Sequence, residues 1–90
     1  MTVHDNMAES RYELAEAGET SFAAYELSGE VMTFTHTVVP PALRGRGIAG
    51  RLVAGALDDA RARGLKVVPA CSYVARYIAD RPELRDLLAG

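Results

Sequence analysis

The sequence is poor in the residues that build sites by cross-linking or coordination. Its 90 residues include one cysteine, Cys71, and two histidines, His4 and His36. A single cysteine excludes an internal disulfide framework, and these three residues have no structural-zinc spacing. No metal is therefore expected, and a reducing cytoplasm is the default location. Long apolar runs are also missing. No stretch of about 18 apolar residues occurs, and residues 1–10, MTVHDNMAES, lack a basic opening followed by an apolar run. Neither a spanning helix, a secretory signal nor a membrane partner is expected. With 49% apolar residues and this length, residues 1–90 read as one small domain with one core.

Acid and base are unevenly shared. Residues 1–43 hold seven acids and one base, Arg11, for a net −6, whereas residues 44–90 hold nine bases and five acids, for a net +4. This argues against nucleic acid spread over the whole surface and for a local anion site where the arginines cluster.

Three runs read as strands. Arg11 to Ala17 alternates Tyr12 and Leu14 with charged neighbours, and Thr20 to Ser28 sets Ala23, Tyr25 and Leu27 against Phe22, Ala24 and Glu26. Val31 to Val39 sets Met32, Phe34, His36 and Val38 on one face and Thr33, Thr35 and Thr37 on the other. Gly18-Glu19 and Ser28-Gly29-Glu30 supply the turns, and Pro40-Pro41 ends the third strand. The period then changes. Ile48, Ala49, Leu52, Val53, Ala56, Leu57 and Ala60 form one helical stripe running to about Arg63, with Arg51, Asp58, Arg61 and Arg63 outward and Gly64 at the C-cap. Leu65 to Ala70 predicts a short buried strand parallel to the third, with pairing loosened at Pro69. Tyr73, Val74, Tyr77 and Ile78 predict a second helix from Ser72 to Arg81-Pro82, and Leu84, Leu87 and Leu88 a last amphipathic turn.

The informative stretch joins the third strand to the first helix. Arg44-Gly45-Arg46-Gly47-Ile48-Ala49-Gly50-Arg51 places three glycines and three arginines at a helix start. Glycines let a ligand approach the backbone, the first helical N–H groups lack intrahelical partners, and the helix dipole adds about half a positive charge. Phosphate oxygens gripped by backbone and guanidinium groups fit this pattern. Gly45 to Gly50 matches G-x-G-x-x-G, but no acid lies in Leu65 to Cys71 to hold a ribose, and leading antiparallel strands are foreign to a dinucleotide fold. A triphosphate-binding P-loop fails too, because Arg51-Leu52 stands where Lys-Ser/Thr is needed.

Arg44, Gly47 and Ala49 fit Arg-x-x-Gly-x-Ala after a strand ending Val38-Val39-Pro40. This resembles the acetyl-CoA pyrophosphate loop of the GNAT superfamily of N-acetyltransferases. More narrowly, the chain resembles the very short GNAT-like family, through Arg11-Tyr12-Glu13-Leu14, His36-Thr37, the loop Pro40 to Gly50, Lys66-Val67-Val68-Pro69-x-Cys71 and Tyr73-Val74-x-x-Tyr77-Ile78. The resemblance implies an α+β GNAT-like fold: three antiparallel strands, then helix, parallel strand and helix, in a mixed sheet flanked by helices. It implies acetyl-CoA as co-substrate, with the pantetheine arm on the backbone of Val38 and Val39. The pyrophosphate would lie on Arg44, Gly45, Arg46, Gly47, Ile48, Ala49, Gly50 and Arg51. The acceptor would be an amine, reached from an open side because only a turn follows the first strand, and an open groove suits a group on a macromolecule.

Four residues are candidates for the chemistry. His36 has a reference pKa suited to taking an amine proton, but it lies in line with Phe34 and Val38. Cys71 stands at a helix start that favours a thiolate and transient acetylation, or it closes a core strand. Tyr73 and Tyr77, one turn apart, carry hydroxyls able to protonate a departing thiolate, or pack as core aromatics. The family pattern commonly has an acid where this chain has Val38. Three functions follow: an acetyltransferase acting by direct attack or through Cys71, a non-catalytic CoA or acyl-CoA-binding regulatory module, and an interaction domain with a vestigial loop.

Overall fold

The computed structural model describes residues 2–89. Five strands form one sheet in chain order: β1 (His4–Asn6), β2 (Arg11–Glu16), β3 (Glu19–Ser28), β4 (Val31–Val38) and β5 (Lys66–Pro69). Neighbours are antiparallel except β4 and β5, which are parallel and joined through helix α1 (Ile48–Ala62). Helix α2 (Ser72–Ala79) follows β5, and a 3₁₀ segment at Pro82–Leu87 closes the described chain. The strands, helices and parallel crossover read from hydrophobic periodicity are all present. β1 is an addition: three residues are too few to carry an alternation signal. It is set by a 3₁₀ turn at Met7–Glu9, where the Glu9 N–H donates to the Asn6 side chain at 3.3 Å.

Turn chemistry fixes the hairpins. Glu16 faces Glu19 across a two-residue turn whose Ala17 and Gly18 both have positive φ, 52° and 78°, the geometry whose twist matches antiparallel strands. The core lies on one side of the sheet, where Tyr12, Leu14, Ala23, Tyr25, Met32, Phe34 and Val67 meet the stripe Ile48, Leu52, Val53, Ala56, Leu57 and Ala60 of α1 and Val74 and Ile78 of α2. The opposite side carries Arg11, Glu13, Phe22, Thr33 and Val68, none of them buried.

The far end of α1 is bolted down by polar groups. The Tyr12 hydroxyl donates to Asp59 at 2.6 Å and the Tyr25 hydroxyl to Asp5 at 2.7 Å. Arg63 is exposed, as its place outside the stripe predicts. It reaches back to Asp5 at 2.9 Å and Asp59 at 3.3 Å. Burial, then the adjoining carboxylates, hold both phenols protonated: Tyr25 is pushed up to about 12, and Tyr12 is raised as well.

Strand β4 departs from simple alternation. Ala24 pairs with His36 but the next residue, Tyr25, pairs with Phe34, so a bulge at Thr35 breaks the register. An extra residue reverses the side to which every later side chain points. His36 and Val38, expected in line with Phe34, are instead exposed. Thr37 and Val39 turn inward in their place.

Candidate functional site

The site begins where two strands part. β4 and β5 pair from Val31–Lys66 to Phe34–Pro69, after which the Ala70 N–H turns back to the Val68 carbonyl at 3.1 Å instead of continuing the ladder. One further backbone bond, from the Cys71 N–H to the Phe34 carbonyl at 2.9 Å, is the last between them. β4 continues to Val38 without β5 beside it. The loosening expected at Pro69 is therefore a true divergence, and the bulge at Thr35 sits at its apex.

A groove occupies this opening. One part, of about 330 Å³, is lined by Thr37, Val38, Val39, Arg44, Ala49 and Tyr73, within the range of small-molecule sites. A smaller part adjoins it over Gly45, Gly47, Ile48 and Gly50. Beyond Gly50 and Tyr73 a third depression runs along Arg76, Tyr77 and Arg81.

The groove's far wall is the start of α1. Gly45 and Gly47 have φ of 81° and 72°, a left-handed backbone that glycine adopts without strain. Gly47 is the N-cap and offers no side chain to the N–H groups of the first turn, which also contains no acid. A 15-residue helix therefore directs its N-terminal donors and dipole into the groove. Arg44 donates from Nε to the Val39 carbonyl at 3.2 Å, tying the loop to the end of β4. Gly50 lies against Tyr73: a Cβ there would stand 3.7 Å from the Tyr73 hydroxyl oxygen, an ordinary contact that leaves room for a small side chain.

The three loop arginines do not act together. Arg44 lines the groove, whereas Arg46 and Arg51 turn toward Glu16 at the end of β2, with N···O distances of 3.7 and 3.6 Å. Their backbone stays in the loop while their guanidinium groups brace it from behind. Glu16 carries no motif that would single it out in the sequence.

Helix α2 supplies the near wall. Tyr73 is 41% exposed and borders all three depressions. Tyr77 borders only the third, with the Arg81 guanidinium 3.6 Å above its ring. The structure thus separates the two tyrosines that helical spacing presents as equivalents. Cys71, at the N-cap of α2, is 8% exposed and lies behind the groove surface. Its sulfur and the Thr37 hydroxyl oxygen are 3.3 Å apart. Burial pushes the thiol up, but the Thr37 hydroxyl and the backbone N–H groups of Val74, Tyr73 and Thr37 outweigh it, and the thiol lies below its ordinary value. His36 is on the other side of β4 and lines none of these depressions. Among the described residues no cluster of metal ligands occurs, and no helix is long and apolar enough to cross a membrane.

Residues 11–87 match the GCN5-related N-acetyl-transferase family. The chain belongs to this family. Its five-stranded mixed sheet with a parallel β4–β5 pair, flanked by helices, is the fold of that family. Protein NATD1 of chicken and of human are each 41% identical to it over 59 residues, 64% of this chain and 54% and 52% of theirs. Protein NATD1 of Xenopus tropicalis is 39% identical over the same length. The chain spans about half the length of the curated relatives it matches. The groove of this family member lies at the divergence of β4 and β5, with the glycine-arginine loop at one end and Thr37, in contact with Cys71, at the other.

Proposed function

We propose that this chain binds acetyl-CoA in the β4–β5 groove and transfers the acetyl group to an amine. The observation that carries this reading is the uncapped N-terminus of α1, opening through Gly45 and Gly47 onto a groove that reaches Thr37, the neighbour of Cys71. Pyrophosphate would take the first-turn N–H groups of α1 and the Arg44 guanidinium. The pantetheine arm would run along Val38 and Val39, where β4 has no parallel neighbour. Its thioester would then lie near Thr37 and Tyr73.

The acetyl group then passes by one of two routes. In direct attack, the amine nitrogen bonds to the carbonyl carbon, the bond to sulfur breaks, the nitrogen releases its extra proton to solvent, and the departing thiolate receives a proton. Tyr73, whose hydroxyl lies at the groove, is the better donor; Tyr77 is stacked under Arg81. In the second route Cys71 carries the acetyl group between the two partners. Val38 and His36 both face outward beside the divergence, so an amine arriving from the uncovered side of the sheet meets His36. That side carries no covering helix, which favours an acceptor on a larger molecule.

Two observations favour a second reading, a CoA-binding module without turnover. Cys71 is nearly buried, and Val38 puts no acid beside the thioester position. The test is calorimetric titration with acetyl-CoA, followed by thiol-release assays on amine-bearing peptides and small polyamines. Micromolar binding with turnover that falls in Cys71→Ala or Tyr73→Phe supports the enzyme. Binding with no turnover supports the module, and absence of binding removes both.

A further inference from the structure

We propose that Thr37 is a positioning residue for Cys71, holding its sulfur at the apex of the β4–β5 opening in a form ready to accept an acyl group. The inference rests on the acetyl-CoA reading of the groove and adds to it a residue with no part in the loop.

Two independent features of the backbone create the contact. The bulge at Thr35 brings Thr37 to the inner side of β4, which simple alternation would deny it. Cys71 is fixed separately, its N–H donating to the Phe34 carbonyl at 2.9 Å and its carbonyl accepting from the Ala75 N–H at 3.0 Å. The sulfur and the hydroxyl oxygen consequently meet at 3.3 Å between elements 34 residues apart. Thr37 lines the groove whereas Cys71 does not, so the hydroxyl lies at the surface through which an acyl group reaches the sulfur.

The chemistry requires such a partner. A sulfur almost removed from water disfavours its anion, and only the thiolate is an effective nucleophile. A hydroxyl donating to the sulfur, with the N-terminal N–H groups of α2, offsets that loss, in the direction by which the thiol departs from its ordinary value. In transfer through Cys71, the thiolate bonds to the carbonyl carbon as the bond to the coenzyme sulfur breaks. The coenzyme leaves as a thiolate and takes a proton from solvent. The amine next bonds to the carbonyl carbon, the bond to Cys71 breaks, the sulfur returns as thiolate, and the nitrogen releases its extra proton. Thr37 keeps its own proton throughout.

The test uses the pH profile of alkylation by iodoacetamide, which reports Cys71 alone because the chain has one cysteine. Thr37→Val removes the hydroxyl at nearly constant shape and Thr37→Ser retains it, with thermal melts to verify folding of both. Thr37→Val is expected to move the profile to higher pH and slow alkylation at pH 7 about tenfold, the equivalent of one hydrogen bond to a charged group. Thr37→Ser should restore the wild-type profile. Superimposable profiles for wild type and Thr37→Val overturn the proposal, as does a shift that Thr37→Ser reproduces in full. Acetyl-CoA titration of the wild type separates the two ideas. Binding with an unmoved profile sinks the role of Thr37 alone, and a moved profile without binding sinks the acetyl-CoA reading while Thr37 still holds the sulfur.

Discussion

Replacing Gly47 by alanine tests whether the loop's backbone shape and its ligand capacity are one property. Gly47 has φ 72° and ψ 17°, and a Cβ built on it meets nothing within 4 Å. The substitution therefore adds no clash, and its whole cost is the left-handed backbone, about 1–2 kcal/mol for a residue with a Cβ. If the loop keeps its shape, the fold bears that cost. At about 4–8 °C per kcal/mol for a domain of this size, the melting temperature falls by about 4–16 °C. If the loop relaxes, the first-turn N–H groups leave their ligand-ready arrangement, and affinity falls by the same free energy. The Kd for acetyl-CoA then rises about 5- to 30-fold. Gly47→Asn, which tolerates this backbone better, should recover part of either loss. Thermal melting and calorimetric titration of the three proteins make the measurement. An unchanged melting temperature together with an unchanged Kd would refute the argument from φ. Tight binding that survives in a protein whose loop has demonstrably rearranged would remove the loop from the site.

Two further outcomes follow from the packing around α1. Tyr12 and Tyr25 stay protonated in the folded protein at pH values where unfolded tyrosines ionise near 10. The unfolded state then binds fewer protons, so stability is fully present below pH 10 and declines above it, by up to about 1.4 kcal/mol per pH unit for each tyrosine. For Tyr25 this continues to about pH 12. Urea unfolding at pH 9, 10 and 11 should show the decline and a shallower one in Tyr25→Phe; equal stability at all three would contradict it. The second outcome concerns Gly55, where a Cβ would come within 2.6 Å of Val3 Cγ2 and 2.8 Å of its Cβ. Gly55→Ala would raise helix propensity by about 1 kcal/mol, but overpacking at about 1–3 kcal/mol reverses the gain. A double-mutant cycle with Val3→Ala, read by thermal melting, should show the two changes to be strongly non-additive, and simple additivity would mean that Val3 does not occupy that space.

The strands and helices were legible wherever one periodicity ran long enough. The stripe from Ile48 to Ala60 is the buried face of α1, and Gly64, with φ 70°, follows its end. Pro69 marked the place where the β4–β5 ladder ends, at the Phe34–Pro69 pair, although the backbone turn that ends it, from the Ala70 N–H to the Val68 carbonyl, was not legible. The glycine-arginine loop was legible because positive φ and an uncapped helix start are written in adjacent residues. β1 was not, because three residues carry no period and its pairing depends on a turn closed by Asn6.

What the sequence determined by itself was thus the order of elements from β2 onward, the glycine-arginine loop at the start of α1 and the family. Only the tertiary structure decided which side chains face the groove. One extra residue at Thr35 exchanged His36 and Val38 for Thr37 and Val39 on the inner side of β4, and a bulge is a relation between two strands that alternation within one cannot reveal. The same holds for the arginines. Arg44, Arg46 and Arg51 are equivalent in a motif, yet the hairpin that delivers Glu16 draws Arg46 and Arg51 behind the loop and leaves Arg44 in the groove. Charge along a chain is fixed by composition, but the direction in which a charge points is fixed by the nearest opposite charge that folding brings to it.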